Sequence, residues 1–144
     1  MLRTIIDLPL APAVRARYLC AMRFAQDDSE GRFQIQAYGP GKLTVNAEIL
    51  THSFIVSPER LIRDWAPQTF EDLTHEHLSV AAELRPEILI LGTGARQRFP
   101  HPEVIGQLQS QGIGVEVMDT AAACRTYNVL VSERRRVAAA LFMI

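Results

Sequence analysis

The chain has 144 residues, 48% of them hydrophobic, and a formal charge of −1. That length suits one domain that can bury a core without staples, and the even charge balance supplies no field to draw nucleic acid or an anionic membrane. The two cysteines, Cys20 and Cys124, lie far apart and match no metal or redox spacing, so a reducing, cytoplasmic compartment is expected rather than a secreted one.

No segment reaches the roughly eighteen consecutive apolar residues that cross a bilayer. Residues 1–30 read as an N-terminal extension ahead of a single α/β domain at 31–144. In the extension Arg3, Arg15, Arg17 and Arg23 face one acid, Asp7, a balance shared with organelle presequences, which would make a eukaryotic chain mitochondrial. Pro9, Pro12 and the lack of serine over the first 26 residues speak against that. Val14, Tyr18 and Met22 recur every four residues, as in a short amphipathic helix lying on the domain or on a second copy, so homo-oligomerisation stays open.

After the acidic joint at Asp27 to Arg32, the apolar period changes to two. Phe33, Ile35 and Ala37 alternate with polar neighbours, Gly39-Pro40-Gly41-Lys42 makes a turn, and Leu43, Val45, Ala47 and Ile49 resume the alternation, which predicts a hairpin with one wet face. The apolar parity then switches to Leu50, Phe54 and Val56, so a bulge or corner is expected between Ile49 and Ser53. Leu61 to Trp65 reads as a further short strand stopped by Pro67.

A helix follows with Thr74 as its N-cap and Glu76 in the first turn. Its apolar face is Leu78, Ala81, Ala82 and Leu84, and Arg85-Pro86 ends it. The run Ile88 to Leu91 is a strand, Pro102 opens a second helix that Gly112 ends, Ile113 to Met118 is a strand, and a third helix over about Thr120 to Glu133 precedes a last strand, Val137 to Ile144. Short apolar runs separated by helices are what a parallel sheet buried on both faces requires. The expected fold is therefore three-layer α/β: an N-terminal β-meander, then β-α-β-α-β with parallel strands and right-handed crossovers.

If the two strands are neighbours, Gly92-Thr93-Gly94 and Asp119-Thr120 meet at one carboxyl-end rim, where ligands of open α/β sheets usually sit. A binding rim of Gly92, Thr93, Gly94, Arg96, Asp119 and Thr120 follows, with Arg125 one turn into the helix. The bland readings stand beside it. The dinucleotide fingerprint fails because Gln97 occupies its third small-residue position, so the glycines equally suit a plain tight turn; Asp119-Thr120 is also sufficient as a helix cap. Tyr127 and Asn128 lie too far along for the rim and read as core packing and a local hydrogen bond. Cys124 reads as a buried thiol, and His75 and His77, two apart on a helix, point away from each other and hold no metal. Glu133-Arg134-Arg135-Arg136 is either a solvated turn or a docking patch for an acidic partner. No cofactor or metal is expected, and no catalytic residue is assigned.

Two motifs carry a family resemblance: Pro86-Glu87-Ile88-Leu89-Ile90-Leu91-Gly92-Thr93-Gly94, and Gly114-Val115-Glu116-Val117-Met118-Asp119-Thr120 continued through Ala123 to Leu130, Glu133 and Arg136 to Leu141. Over about Phe33 to Phe142 the chain resembles the small α/β proteins that include a mitochondrial respiratory complex I (NADH:ubiquinone oxidoreductase) assembly factor and the adipogenesis-associated domain-containing protein. The resemblance implies a compact three-layer domain without established catalytic residues that acts through a protein partner. The competing reading, from the residues, is a small-anion-binding domain or enzyme using the Gly92–Arg96 loop and the Asp119-Thr120 helix start.

Overall fold

A computed structural model describes residues 32–144. The expected N-terminal extension and its helix around Val14 to Met22 lie outside those residues. The described chain opens on an antiparallel meander, β1 (Ile35–Gly39), β2 (Lys42–Val45) and β3 (Glu48–Leu50). Its first turn is the expected one, with Gly41 at φ 72°.

The second turn corrects the sequence reading. Leu43 to Ile49 looks like one strand, yet Asn46 and Ala47 take φ 46° and 76° and fold the chain back in two residues. Asn46 favours this because its carboxamide serves the neighbouring backbone: Oδ1 accepts the Gln34 N–H at 2.9 Å and Nδ2 donates to the Arg32 carbonyl at 2.8 Å. Leu43 and Val45 are buried, whereas Ile49 stands 60% exposed on the outer face. The corner expected between Ile49 and Ser53 is where the chain leaves the meander for a second sheet at β4 (Phe54–Val56).

β5 (Leu61–Ile62) pairs antiparallel with β4 and is shorter than the strand expected to reach Trp65. Arg63 turns outward there to grip Glu48 with two hydrogen bonds of 2.7 Å. Trp65 turns inward, buries, and donates its indole N–H to the His77 carbonyl at 3.0 Å. The helix α1 (His75–Ala82) has Thr74 as N-cap, closed reciprocally by the His77 ring at the position where Glu or Gln is usual. It ends before the Arg85-Pro86 pair, and Arg85 is left-handed at φ 54°.

Then follow β6 (Ile88–Gly92), α2 (Pro102–Ser110), β7 (Gly114–Met118), α3 (Thr120–Ser132) and β8 (Val137–Leu141). The five-stranded sheet runs β5-β4-β8-β6-β7, with β8, β6 and β7 parallel and β4 antiparallel to β8. It is the middle layer of three. On one side Val137, Ala139 and Leu141 of β8 pack with Ile90, with Tyr127 and Val131 of α3, and with Ile35, Leu43 and Val45 of the meander. On the other side Ala138, Ala140 and Phe142 pack with Leu89, Leu91, Leu78 of α1 and Leu108 of α2. The small side chains of β8 let both outer layers approach closely, which is why a run as weakly hydrophobic as Ala138-Ala139-Ala140 can occupy the centre. No helix among the described residues is long and apolar enough to cross a membrane.

Candidate functional site

The parallel register sets Gly92 beside Met118, so β6 and β7 end level and their following loops meet. Gly92 leaves little room for a side chain there: a Cβ would lie 2.7 Å from Leu141 Cδ2, 3.0 Å from Thr120 Oγ1 and 3.1 Å from Ala123 Cβ. Gly94, at φ 102°, and Thr120 join reciprocally, with the Gly94 N–H donating to Thr120 Oγ1 at 2.8 Å and the Thr120 N–H donating to the Gly94 carbonyl at 2.9 Å. The Thr120 hydroxyl in turn donates to the Phe142 carbonyl at 2.7 Å. Thr93 Oγ1 donates to the Arg96 carbonyl at 2.7 Å and accepts the Arg98 N–H at 3.1 Å. Asp119 caps α3 by accepting the Ala122 N–H at 2.8 Å.

Five of the seven rim residues, Gly92, Thr93, Gly94, Asp119 and Thr120, are thus gathered at one end of the sheet. Arg96 follows in the same loop; it is exposed, and its side chain has no hydrogen bond or ion pair among the described residues. Arg125 is not brought in. The turn of α3 carries its guanidinium to the meander, where it donates to Tyr38 Oη at 2.7 Å. Chemically the gathered groups are already engaged: the loop N–H and the buried Thr120 hydroxyl bond each other, and the helix N-terminus, the usual seat of an anion, holds the carboxylate of Asp119.

The next residues of α3 do more than the sequence suggested. Asn128 Oδ1 accepts the Ile35 N–H at 3.0 Å while its Nδ2 donates to the Ile35 carbonyl at 2.7 Å. This bond is long-range, and it pairs with the backbone of β1 as a neighbouring strand would. Tyr127, fully buried, donates to the Phe33 carbonyl at 2.9 Å, and burial raises its phenol well above the usual range. Cys124 is buried as expected, and burial pushes its thiol up to about 12. Among the described residues no cluster of histidine, cysteine or carboxylate side chains could hold a metal.

At the opposite end of the sheet lies a cleft of about 180 Å³ lined by Arg32, Glu59, Pro86, Arg134, Arg135 and Arg136, among others. Glu87 borders it and pairs with Arg135 at 2.6 Å and, more loosely, with Arg136 at 3.9 Å, which holds its carboxyl below the ordinary value. The basic run at 134–136 is visible in the sequence. Its convergence with Arg32 and Glu59 is not, because no local spacing links them.

Residues 35–142 match a family model described as a protein of unknown function (DUF498/DUF598). The chain belongs to this family. Within DUF498/DUF598 it is 38% identical over 118 residues to the NADH dehydrogenase (ubiquinone) 1 alpha subcomplex assembly factor 3 of Danio rerio, a match covering 81% of this chain and 67% of that protein. It spans about two thirds of the length of such assembly factors. A crystal structure from Bordetella parapertussis shares 42% identity and superposes with a TM-score of 0.76, covering 79% of this chain and 98% of that one. A solution structure of a Mth938-like domain from Bordetella pertussis shares 34% identity with a TM-score of 0.72, covering 84% and 92%. These relatives bear out the family resemblance carried by the two C-terminal motifs and the α/β fold with parallel strands read from the apolar periodicity.

Proposed function

We propose that this chain is a non-enzymatic binding module that assists assembly of a larger protein complex through contacts with a protein partner. The observation that carries the reading is the similarity to complex I assembly factors across 81% of the chain. The geometry supports it from the side of chemistry. The groups that would act on a small molecule at the carboxyl-end rim are engaged with one another, and the one thiol at that helix is buried and fully protonated at neutral pH. That the complex is a respiratory NADH dehydrogenase, and that the setting is cytoplasmic, are parts of the same proposal. The test is purification of the native chain with whatever stays attached, followed by mass spectrometry. A stoichiometric protein partner is the expected result, and a chain that repeatedly emerges alone would overturn the reading.

A second reading rests on Arg96, an exposed residue held to the rim by its carbonyl, which accepts from Thr93 Oγ1. There the rim binds a small carboxylate or phosphate, with Arg96 as the mobile donor and Arg125 released from Tyr38. Thermal-shift screening against such anions decides it: stabilisation lost in Arg96→Gln favours the rim, and a flat response to every anion removes it.

A further inference from the structure

The two left-handed helix ends of α2 and α3 have the same hydrogen-bond pattern and different residues. After α2, Gly112 sits at φ 85°, its N–H donating to the Gln109 carbonyl at 3.0 Å while the Ile113 N–H reaches the Leu108 carbonyl at 3.1 Å. After α3, Arg134 sits at φ 61°, its N–H donating to the Val131 carbonyl at 2.9 Å while the Arg135 N–H reaches the Leu130 carbonyl at 3.0 Å. Glycine is the usual occupant of this position because a Cβ is strained there. At Arg134 the chain accepts that strain and places an arginine in the lining of the cleft.

We infer that this cleft is the docking site for an acidic segment of the protein partner, its carboxylates taken by Arg32, Arg134 and Arg136. The inference rests on the protein-binding reading above. Charge points to the ligand: four of the fourteen arginines of a chain with net charge −1 line one small cleft, against Glu59 within it and Glu87 at its border. Glu87 engages Arg135 closely and Arg136 loosely, so among the described residues of the cleft Arg32 and Arg134 have no carboxylate partner and Arg136 is only weakly held. Arginine presents a planar fork of donors that matches a carboxylate with two parallel bonds. Size points the same way. About 180 Å³ is below the roughly 300–1,000 Å³ of pockets that enclose a whole small ligand, and it suits one or two anionic side chains presented by a larger molecule. Complementing the dipole at the α3 C-terminus accounts for Arg32, which donates to the Val131 carbonyl in the last turn at 3.5 Å; the side chains of Arg134 and Arg136, just past that helix end, donate to no α3 carbonyl among the described residues.

The test is fluorescence anisotropy of a labelled hexaglutamate peptide with the full chain, at low and at physiological salt. The expected result is saturable binding that weakens with salt, and weakens about tenfold or more in the double variant Arg134→Gly, Arg136→Gln. Arg134→Gly alone should raise the melting temperature, since glycine relieves the left-handed strain, so loss of binding cannot be assigned to unfolding. Arg63→Gln, an exposed arginine outside the cleft, should bind as the wild type does. No binding by the wild-type chain, undiminished binding by the double variant, or displacement of the peptide by inorganic phosphate but not by equal ionic strength of chloride would each overturn the assignment. The native pull-down keeps the two proposals apart. If the double variant retains the same partner as the wild type, the cleft assignment falls and the protein-binding reading stands; if neither retains a protein, that reading falls.

Discussion

Replacing Asn128 by alanine removes the one side chain that joins α3 to the first strand of the meander by hydrogen bonds to both polar groups of a single residue. Ile35 is 3% exposed, so water does not take over when the carboxamide is gone. Each of the two bonds contributes about 0.5–1.5 kcal/mol net, and each group left buried and unpaired costs about 1–3 kcal/mol. Together about 3 kcal/mol of destabilisation is expected, a large part of the roughly 5–15 kcal/mol that holds a domain of this size folded. Urea unfolding followed by circular dichroism reads this directly: with a slope near 2 kcal/mol/M, the midpoint should fall by about 1.5 M. Asn128→Asp serves as the control, because it keeps the acceptor for the Ile35 N–H but turns an oxygen toward the Ile35 carbonyl, and it should be no better than alanine. Val129→Ala, on the exposed side of the same turn, should move the midpoint little. A loss below about 1 kcal/mol for Asn128→Ala, with unchanged slope, would refute the idea that this residue docks the two layers.

Gly92→Ala should cost about 1–3 kcal/mol, because Thr120 and Ala123 crowd the new Cβ and only the Leu141 side chain can yield; a melting temperature equal to the wild type would show that the loops are not packed as described. Thr120→Val keeps the shape and strands the Gly94 N–H and the Phe142 carbonyl, so it should lose about 2 kcal/mol while Thr120→Ser loses less, an ordering that chemical denaturation can check. Above about pH 9 the unfolded chain releases protons that buried Cys124 and Tyr127 retain, so the native state binds more of them and stability falls as pH rises. Each such group contributes a slope of up to about 1.4 kcal/mol per pH unit; unfolding curves from about pH 8 to about pH 11 should show the fall, and Cys124→Ala should flatten it even though the cavity lowers stability throughout.

Much of the α/β half was readable because its signals are local. Thr74, Pro102 and Gly112 announce helix ends by backbone chemistry confined to a few residues, and Ile88 to Leu91 announces a strand buried on both faces. The meander was read less well. Its odd-numbered apolar residues continue through Ala47 to Ile49, and the alternation hides a reversal that only Asn46 betrays, through a side chain able to serve backbone groups twelve to fourteen residues away. At the candidate rim, register was enough to bring Gly94 and Thr120 together, since strand ends and loop starts follow from chain order. Which way Arg125 faces was not readable. It depends on the rotation of α3 about its axis, and that is fixed by Asn128 gripping β1 and Tyr127 gripping Phe33 just before it, each more than ninety residues away.

The strand order also governs how the molecule is made. β8 lies between β4 and β6, yet it is the last strand of the sequence, so its two neighbours leave the ribosome before the segment that joins them exists. Until then both present unpaired edges to any other nascent chain, the circumstance in which wrong pairing and aggregation begin. Closure waits on a contact between Phe54 and Leu141, and pairings so distant along the chain are slow to form. Synthesis of this protein therefore carries a window of vulnerability in which chaperone protection matters most, and the window closes only when Val137–Leu141 slides into the gap.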